Sequence, residues 1–355
     1  MHTSVTTVEI TPVTHGHVEL CEIQGRQRAH VRGWIFRPDV VAETVDISLN
    51  GAPWVSGLQL FDRPDVETYF KPTFGSSPGL LRSGFDATAP LPPEGEMRRG
   101  NTIGVAVYAQ NARCLGTWQS YYARYPDQEP VIADPPEHLK ERVGGIQNFD
   151  AIGVQLASLI VTCVGKYKSM PEAHAILDWG CGCGRVIKEM MKFTPPNRLF
   201  GCDIDSEAIS WSQKNINGPA FSCVNSYPPT PYRSGTFDVV YGMSVMTHLD
   251  EKTQLLWLEE LARITRSEAI LALSIVGEGL RRTNMPPFLA AEFQRRGFAA
   301  FVPNYSGMLA PFSDEHYYKE AYHSLEYIAR TWGRFFHVLE CFETKHQDMV
   351  ILKAK

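Results

Sequence analysis

Along the first third of the chain, apolar and polar residues alternate in short runs. After about residue 140, apolar residues recur every three or four positions, with short unbroken apolar runs between. Alternation at period two places one face of a strand against a core; recurrence at three to four places one stripe of a helix there. Residues 29–36 (AHVRGWIF), 84–91 (GFDATAPL), 102–109 (TIGVAVYA) and 114–119 are predicted strands. The run VDISLNGAPWVSG predicts a hairpin, because Asn50-Gly51 between two apolar runs suits a tight turn with left-handed central residues. Residues 63–70 predict one or two helical turns. Many short strands separated by turn residues predict an all-β, sandwich-like domain over residues 1–128.

The Pro/Asp-rich stretch YPDQEPVIADPPEHL, residues 125–139, reads as a linker, placed at 129–141. From 142 to 355 the pattern predicts helices at 150–167, 185–193, 206–215, 251–265 and 286–296, and apolar strands at 175–178, 198–202, 237–241 and 269–275. Helices alternating with strands specify a doubly wound, Rossmann-like α/β domain.

Residues 176–185 read ILDWGCGCGR. The predicted strand ends at Asp178, Gly180, Gly182 and Gly184 follow at alternate positions, and a helix is expected next. Missing side chains let a ligand approach the backbone, and a helix start favours negative charge. Asp203 closes the next strand about 20 residues on, where an acid can accept hydrogen bonds from ribose hydroxyls. Each feature alone fits an ordinary turn or a solvated aspartate; together they specify a nucleotide crevice. A nicotinamide dinucleotide is the rival ligand. Its fingerprint is G-x-G-x-x-G, whereas here position 185 is arginine.

These residues resemble the class I S-adenosylmethionine-dependent methyltransferases, whose first motif is an acid followed by G-x-G-x-G, matched by Asp178, Gly180, Gly182 and Gly184. The resemblance covers 142–355. Residues 237–249 (FDVVYGMSVMTHL) are similar to that family's fourth strand and following loop, and 346–353 (HQDMVILK) to its last antiparallel strand. It implies S-adenosyl-L-methionine as cofactor, with Asp178 toward the ammonium group and Asp203 at the ribose. It further implies Asn225 near the adenine, and Cys181, Ile204, Tyr241 and Gly242 around the ligand. The octet SVMTHLDE at 244–251, the HQD at 346–348 and an added β domain resemble methyltransferases of bacterial surface polysaccharides and glycolipids. That implies the hydroxyl of a sugar, glycan or glycolipid as acceptor. A natural-product methyltransferase and a cofactor-binding interaction protein without turnover stay open as alternatives.

A sulfonium methyl is already activated. The protein must hold an acceptor in line, exclude water and, for a hydroxyl, take a proton. Segments 242–248, 276–278 and 303–323 are expected at that rim. His248 is the first candidate base, ahead of a helix start at Asp250; His316 and His323 follow. His346 and Asp348 read as orienting or structural groups at the start of a terminal strand. Met243 and the aromatic insertion, with Tyr305, Tyr317, Tyr318 and Tyr322, are expected to line the acceptor side, although the last three also suit a buried helix face. Phe149 is a candidate cover for the cofactor; Trp257 reads as ordinary helix core.

Composition adds limits. Hydrophobic residues make up 44% and charged residues 21%, which is ordinary globular usage. The formal net charge of −5 lacks the basic excess of a general nucleic-acid binder. No apolar run approaches the roughly 18 residues of a membrane span. The first residues lack a basic start with an apolar core, so a cytoplasmic protein is expected. Among eight cysteines, Cys181 and Cys183 form a C-x-C without a second pair, so no metal is expected. A homo-oligomer is compatible with the sequence.

Overall fold

The computed structural model describes the chain apart from residues 1–8, 11–13, 25–27, 50–51, 91–100, 109–113, 123–131, 146, 304–316 and 345–346. The Asn50-Gly51 turn, Tyr305, His316 and His346 therefore lie outside the described residues. In chain order the first third contains β1 (Glu9–Ile10), β2 (His15–Gln24), β3 (Arg28–Phe36), β4 (Thr44–Leu49), β5 (Ala52–Gln59), β6 (Phe61–Asp62), α1 (Pro64–Phe74), α2 (Pro78–Leu81), β7 (Arg82–Pro90), β8 (Asn101–Tyr108) and β9 (Cys114–Tyr122). Strands β2-β3-β7-β6 and β5-β4-β8-β9 form two four-stranded antiparallel sheets. Along β4, Val45, Ile47 and Leu49 point inward at period two and join Val31, Ile35 and Phe85 of the other sheet in one apolar cluster. Helix α1 is longer than its pattern suggested: Pro64 opens it and Asp65 and Glu67 complement the first-turn dipole. Strand β2 was not predicted, because its HGHVELCEIQ breaks strict alternation.

The second part contains α3 (Glu137–Arg142), α4 (Phe149–Gly165), β10 (Ile176–Trp179), α5 (Ile187–Met190), β11 (Leu199–Asp203), α6 (Ser206–Asn215), β12 (Ala220–Cys223), β13 (Phe237–Gly242), α7 (Glu251–Ile264), β14 (Thr265–Val276), α8 (Glu278–Asn284), α9 (Ala290–Arg296), β15 (Phe298–Phe301), β16 (Glu320–His323), α10 (Leu325–Thr331), β17 (Phe336–Phe342) and β18 (Gln347–Ala354). Its sheet runs β1-β17-β18-β14-β13-β10-β11-β12, with β18 antiparallel between β14 and β17. From β10 the chain proceeds outward through β11 and β12, then returns to β13 on β10's other side. The order of winding thus reverses at β10, and the crevice beyond its carboxyl end is where an open α/β sheet binds ligands.

Two helix predictions are corrected. The span 185–193 is helical only over Ile187–Met190, since the glycine loop keeps the chain in turns through 186 and the bonds of Lys192 N–H to the Glu189 carbonyl and Phe193 N–H to the Met190 carbonyl tighten 191–193 into turns. The span 286–296 divides into a 3₁₀ turn, Pro287–Leu289, and α9. Tyr317, Tyr318 and Tyr322 do not share a helix face; the first two lie in irregular chain and Tyr322 on β16.

The two parts share structure across the expected boundary. Leu159, Ile160 and Val161 of α4 belong to the same apolar cluster as the β sheets. Gly16 N–H donates to Ser158 Oγ at 2.8 Å, and Thr162 Oγ1 to the Thr14 carbonyl at 2.6 Å. Strand β1 pairs parallel with β17 at the sheet edge. Among the described residues, no helix is long and apolar enough to cross a membrane.

Candidate active site

A cavity of about 950 Å³ opens beyond the carboxyl ends of β10, β11 and β13. That is the upper end of the roughly 300–1,000 Å³ typical of small-molecule sites. One wall is the glycine loop. Gly180, Gly182 and Gly184 have φ of +80°, +50° and +81°, the left-handed region that costs any other residue strain. A Cβ at the three positions would overlap the side chains of Val245, Val143 and Ile216. Tertiary packing as well as backbone conformation therefore requires glycine at each.

The loop is tied to β11. Gly180 N–H donates to the Cys202 carbonyl at 2.8 Å, and Gly182 N–H to Asp203 Oδ2 at 2.7 Å. Asp203 Oδ1 accepts from Asp205 N–H at 2.9 Å, and Asp205 caps α6 by accepting from Glu207 and Ala208 N–H, each at 3.0 Å. The Arg142 guanidinium closes this network on Asp205 and Glu207. Asp203 is thus oriented at the cavity wall, each oxygen keeping acceptor capacity for a ribose hydroxyl. Asp203→Ala is expected to weaken cofactor binding by roughly 1.5–3 kcal/mol, checked by calorimetry.

Asp178 and Tyr241 are neighbours across the β10–β13 pairing. The Tyr241 hydroxyl lies beside the Asp178 carboxyl, yet neither it nor Asp178 Oδ2 completes a hydrogen bond of normal geometry. Burial pushes the Asp178 carboxyl up to about 8, with the Tyr241 hydroxyl opposing and Asp203 reinforcing. Arg185 also reaches the cavity; its Nε is buried without a partner, and burial lowers its pKa. An acid with one unpartnered oxygen and a guanidinium with an unpartnered Nε in one wall fit the ammonium and carboxylate of a methionyl group. The cofactor expected from the sequence therefore fits the residues present. An ammonium ion requires ionised Asp178, so binding below pH 8 must release its proton. Cofactor affinity is expected to rise with pH between about 6 and 8, approaching tenfold per unit, then level off. Calorimetry in buffers of different ionisation enthalpy should detect the released proton, and Asp178→Asn should remove it.

The opposite wall carries the candidate chemistry. Met243, Ser244, Val245 and His248 follow β13 into the cavity, and Tyr317 and Tyr318 face it from the end of the aromatic insertion. His248 Nδ1 lies 2.9 Å from the Lys319 carbonyl, and Lys319 N–H donates back to the His248 carbonyl at 3.0 Å. A carbonyl only accepts, so Nδ1 carries the proton and Nε2 of the neutral ring holds a lone pair. The Tyr318 ring stacks on the imidazole, centroids 4.1 Å apart. Burial lowers the His248 pKa, partly offset by the Lys319 bond and Glu320, which keeps the ring in its basic form at neutral pH.

Other expected residues are placed elsewhere. His323 is buried among Phe298, Tyr327 and Trp332, with its pKa pushed down to about 3; it donates to Gln254 Oε1 at 3.0 Å and does not line the cavity. Gln254 in turn donates to the Met246 and Leu249 carbonyls, so His323 supports the loop carrying His248. Tyr322 is buried in a separate cluster with Leu289 and Ala299. Asn225 is exposed, and its neighbour Val224 lines the cavity instead. Cys181 and Ile204 line it; Tyr241 and Gly242 lie behind it, Gly242 because Trp179 packs where a Cβ would stand. Asp348 braces Thr344 and Glu278 backbone groups, and segment 276–278 does not reach the cavity. Phe149 packs on Leu139 and Cys183, leaving Val143, Asn148 and Ile152 of the same region at the wall.

The cavity also recruits residues without a predicted role. Trp257 of α7 lines it and packs on Trp179 at 5.2 Å. From the β-rich part come His15, Thr68, Tyr69 and Phe74. Among the described residues, no group of three or more His, Cys, Asp or Glu is placed to hold a metal ion.

Residues 176–268, from β10 into β14, match the family profile described as a methyltransferase domain. Several solved structures are similar over about half the chain. A SAM-dependent methyltransferase from Methanosarcina mazei is 16% identical, with TM-score 0.37, covering 54% of this chain and 96% of that one. The magnesium protoporphyrin IX methyltransferase of Synechocystis, solved with bound SAH, is 16% identical, with TM-score 0.41, covering 61% and 93%. An S-adenosylmethionine dependent methyltransferase from Mesorhizobium loti is 9% identical, with TM-score 0.38, covering 53% and 94%.

Proposed function

We propose that this chain, whose residues 176–268 match a methyltransferase-domain profile, is a class I S-adenosylmethionine-dependent methyltransferase that methylates a hydroxyl of a sugar, glycan or glycolipid, with His248 as the base. The observation that carries this reading is the imidazole of His248. It shares one cavity with the glycine loop, its Nδ1 is occupied by the Lys319 carbonyl, and its Nε2 lone pair is left for an acceptor. When bound, S-adenosylmethionine supplies a methyl group on a positively charged sulfur. The acceptor oxygen forms a bond to that methyl carbon, the carbon–sulfur bond breaks with its electron pair going to sulfur, and the hydroxyl proton passes to His248 Nε2. An amine acceptor would need no such base in its neutral form, and phosphates would call for cationic side chains that this wall lacks among the described residues. Tyr318 and Tyr69 both line the cavity, and aromatic rings of this kind can stack on the apolar side of a sugar ring.

The test is release of S-adenosylhomocysteine when the full chain meets acceptor sets of neutral sugars and glycosides, phenols, and amines. Turnover with sugars is expected. Turnover confined to amines would overturn the hydroxyl assignment. Tight cofactor binding without turnover on any set would favour an interaction protein.

A further inference from the structure

Building on the proposed methyl transfer, we infer that the N-terminal β-rich part is a wall of the active site: His15 of β2 and Thr68 and Tyr69 of α1 form a subsite for a neutral, polyhydroxylated arm of the acceptor. Three observations converge on it. All three side chains line the cavity that holds the glycine loop and His248. His15 carries a buried hydrogen-bonding atom, Nδ1, that the protein leaves unused. Its ring is fixed beside Phe36 and Phe74, with centroids at 5.2 and 4.9 Å, and its buried Nδ1 has no partner. A buried polar atom without a partner costs free energy unless a ligand satisfies it. Across the cavity wall, the Tyr69 hydroxyl faces Gln155 of α4, joining the two parts of the chain at this point.

The chemistry of the ligand follows from charge. Among the described residues, the charged groups lining the cavity are Arg142, Asp178, Arg185, Asp203 and Asp205, all in or beside the glycine loop and the end of β11. The subsite itself offers an imidazole that burial keeps neutral, with its pKa down to about 4, together with two hydroxyls and an amide. Such groups match sugar hydroxyls, each both donor and acceptor. A carboxylate or phosphate would leave its charge unpaired there.

The test uses two stable aza analogues of the cofactor, with nitrogen in place of sulfur. One carries a methyl arm and the other a glucosylethyl arm at that nitrogen. The wild-type full chain is expected to bind the sugar-armed analogue about tenfold more tightly, the yield of one or two net hydrogen bonds. His15→Phe, Tyr69→Phe and Thr68→Val should each reduce that preference and together abolish it, while affinity for the methyl-armed analogue stays unchanged and certifies folding. A sugar preference untouched by all three changes would overturn this inference and leave the methyl-transfer reading standing. No preference in the wild type would also overturn it. Failure of the methyl-armed analogue to bind would remove both.

Discussion

Gly182→Val is expected to abolish measurable S-adenosylmethionine binding while the chain still folds. At φ of +50° a valine is strained, and its Cβ would overlap the Val143 side chain. Strain of this kind costs about 1–3 kcal/mol, and relief by loop movement would break the Gly182 N–H bond that orients Asp203 at 2.7 Å. The combined loss in affinity is expected to exceed about 100-fold. Calorimetry reads the affinity and a thermal melt reads the fold. The cause can be separated: Gly182→Ala with Val143→Ala removes most of the overlap but keeps the left-handed strain, so it should recover part of the binding. Unchanged affinity in Gly182→Val would contradict the assignment of this loop.

His248→Ala should lower kcat by about 10²–10⁴-fold with cofactor affinity nearly unchanged, the contribution of a positioned base. Burial lowers the His248 pKa from its ordinary value near 6.5. The wild-type rate should therefore rise with pH below that value and be flat through neutrality, where the ring is already basic. This shifts the ionisation below the near-neutral range that an unperturbed histidine suggests. His248→Gln separates proton transfer from positioning, since an amide can hydrogen-bond to the Lys319 carbonyl but cannot act as a base. Near-normal turnover in His248→Gln would make the residue an orienting group.

The glycine loop was legible because its signal is local. Strand, three glycines and helix lie within one turn of chain, and Asp203 falls where the next parallel strand must end. The position of His248 at the cavity was legible for the same reason, as a residue following β13. Burial was not legible. His323 has the right chemistry by type, but Phe298, Tyr327 and Trp332 enclose it and push its pKa down to about 3. Trp257 reads as helix core from its spacing, and only the tertiary fold shows that the same face also borders the cavity. Arg185 was visible only as a departure from a dinucleotide fingerprint; only the fold shows it at the cavity with a buried, unpartnered Nε. The contributions of His15, Thr68 and Tyr69 depend on how β2 and α1 meet α4, contacts between residues far apart in sequence that no local pattern encodes. For that reason the halves read as separable domains, whereas in the folded chain they share an apolar cluster and a cavity.

The most direct test of the central claim is the position of the transferred carbon. Full-length protein is incubated with S-adenosylmethionine carrying a carbon-13 methyl and a mixture of neutral glycosides, and the products are read by carbon-13 NMR. A new O-methyl resonance on a sugar carbon framework is expected, formed in step with S-adenosylhomocysteine and lost in Asp203→Ala at low cofactor concentration. S-adenosylhomocysteine released with the label on nitrogen or sulfur, or a label that never leaves the cofactor, would contradict it.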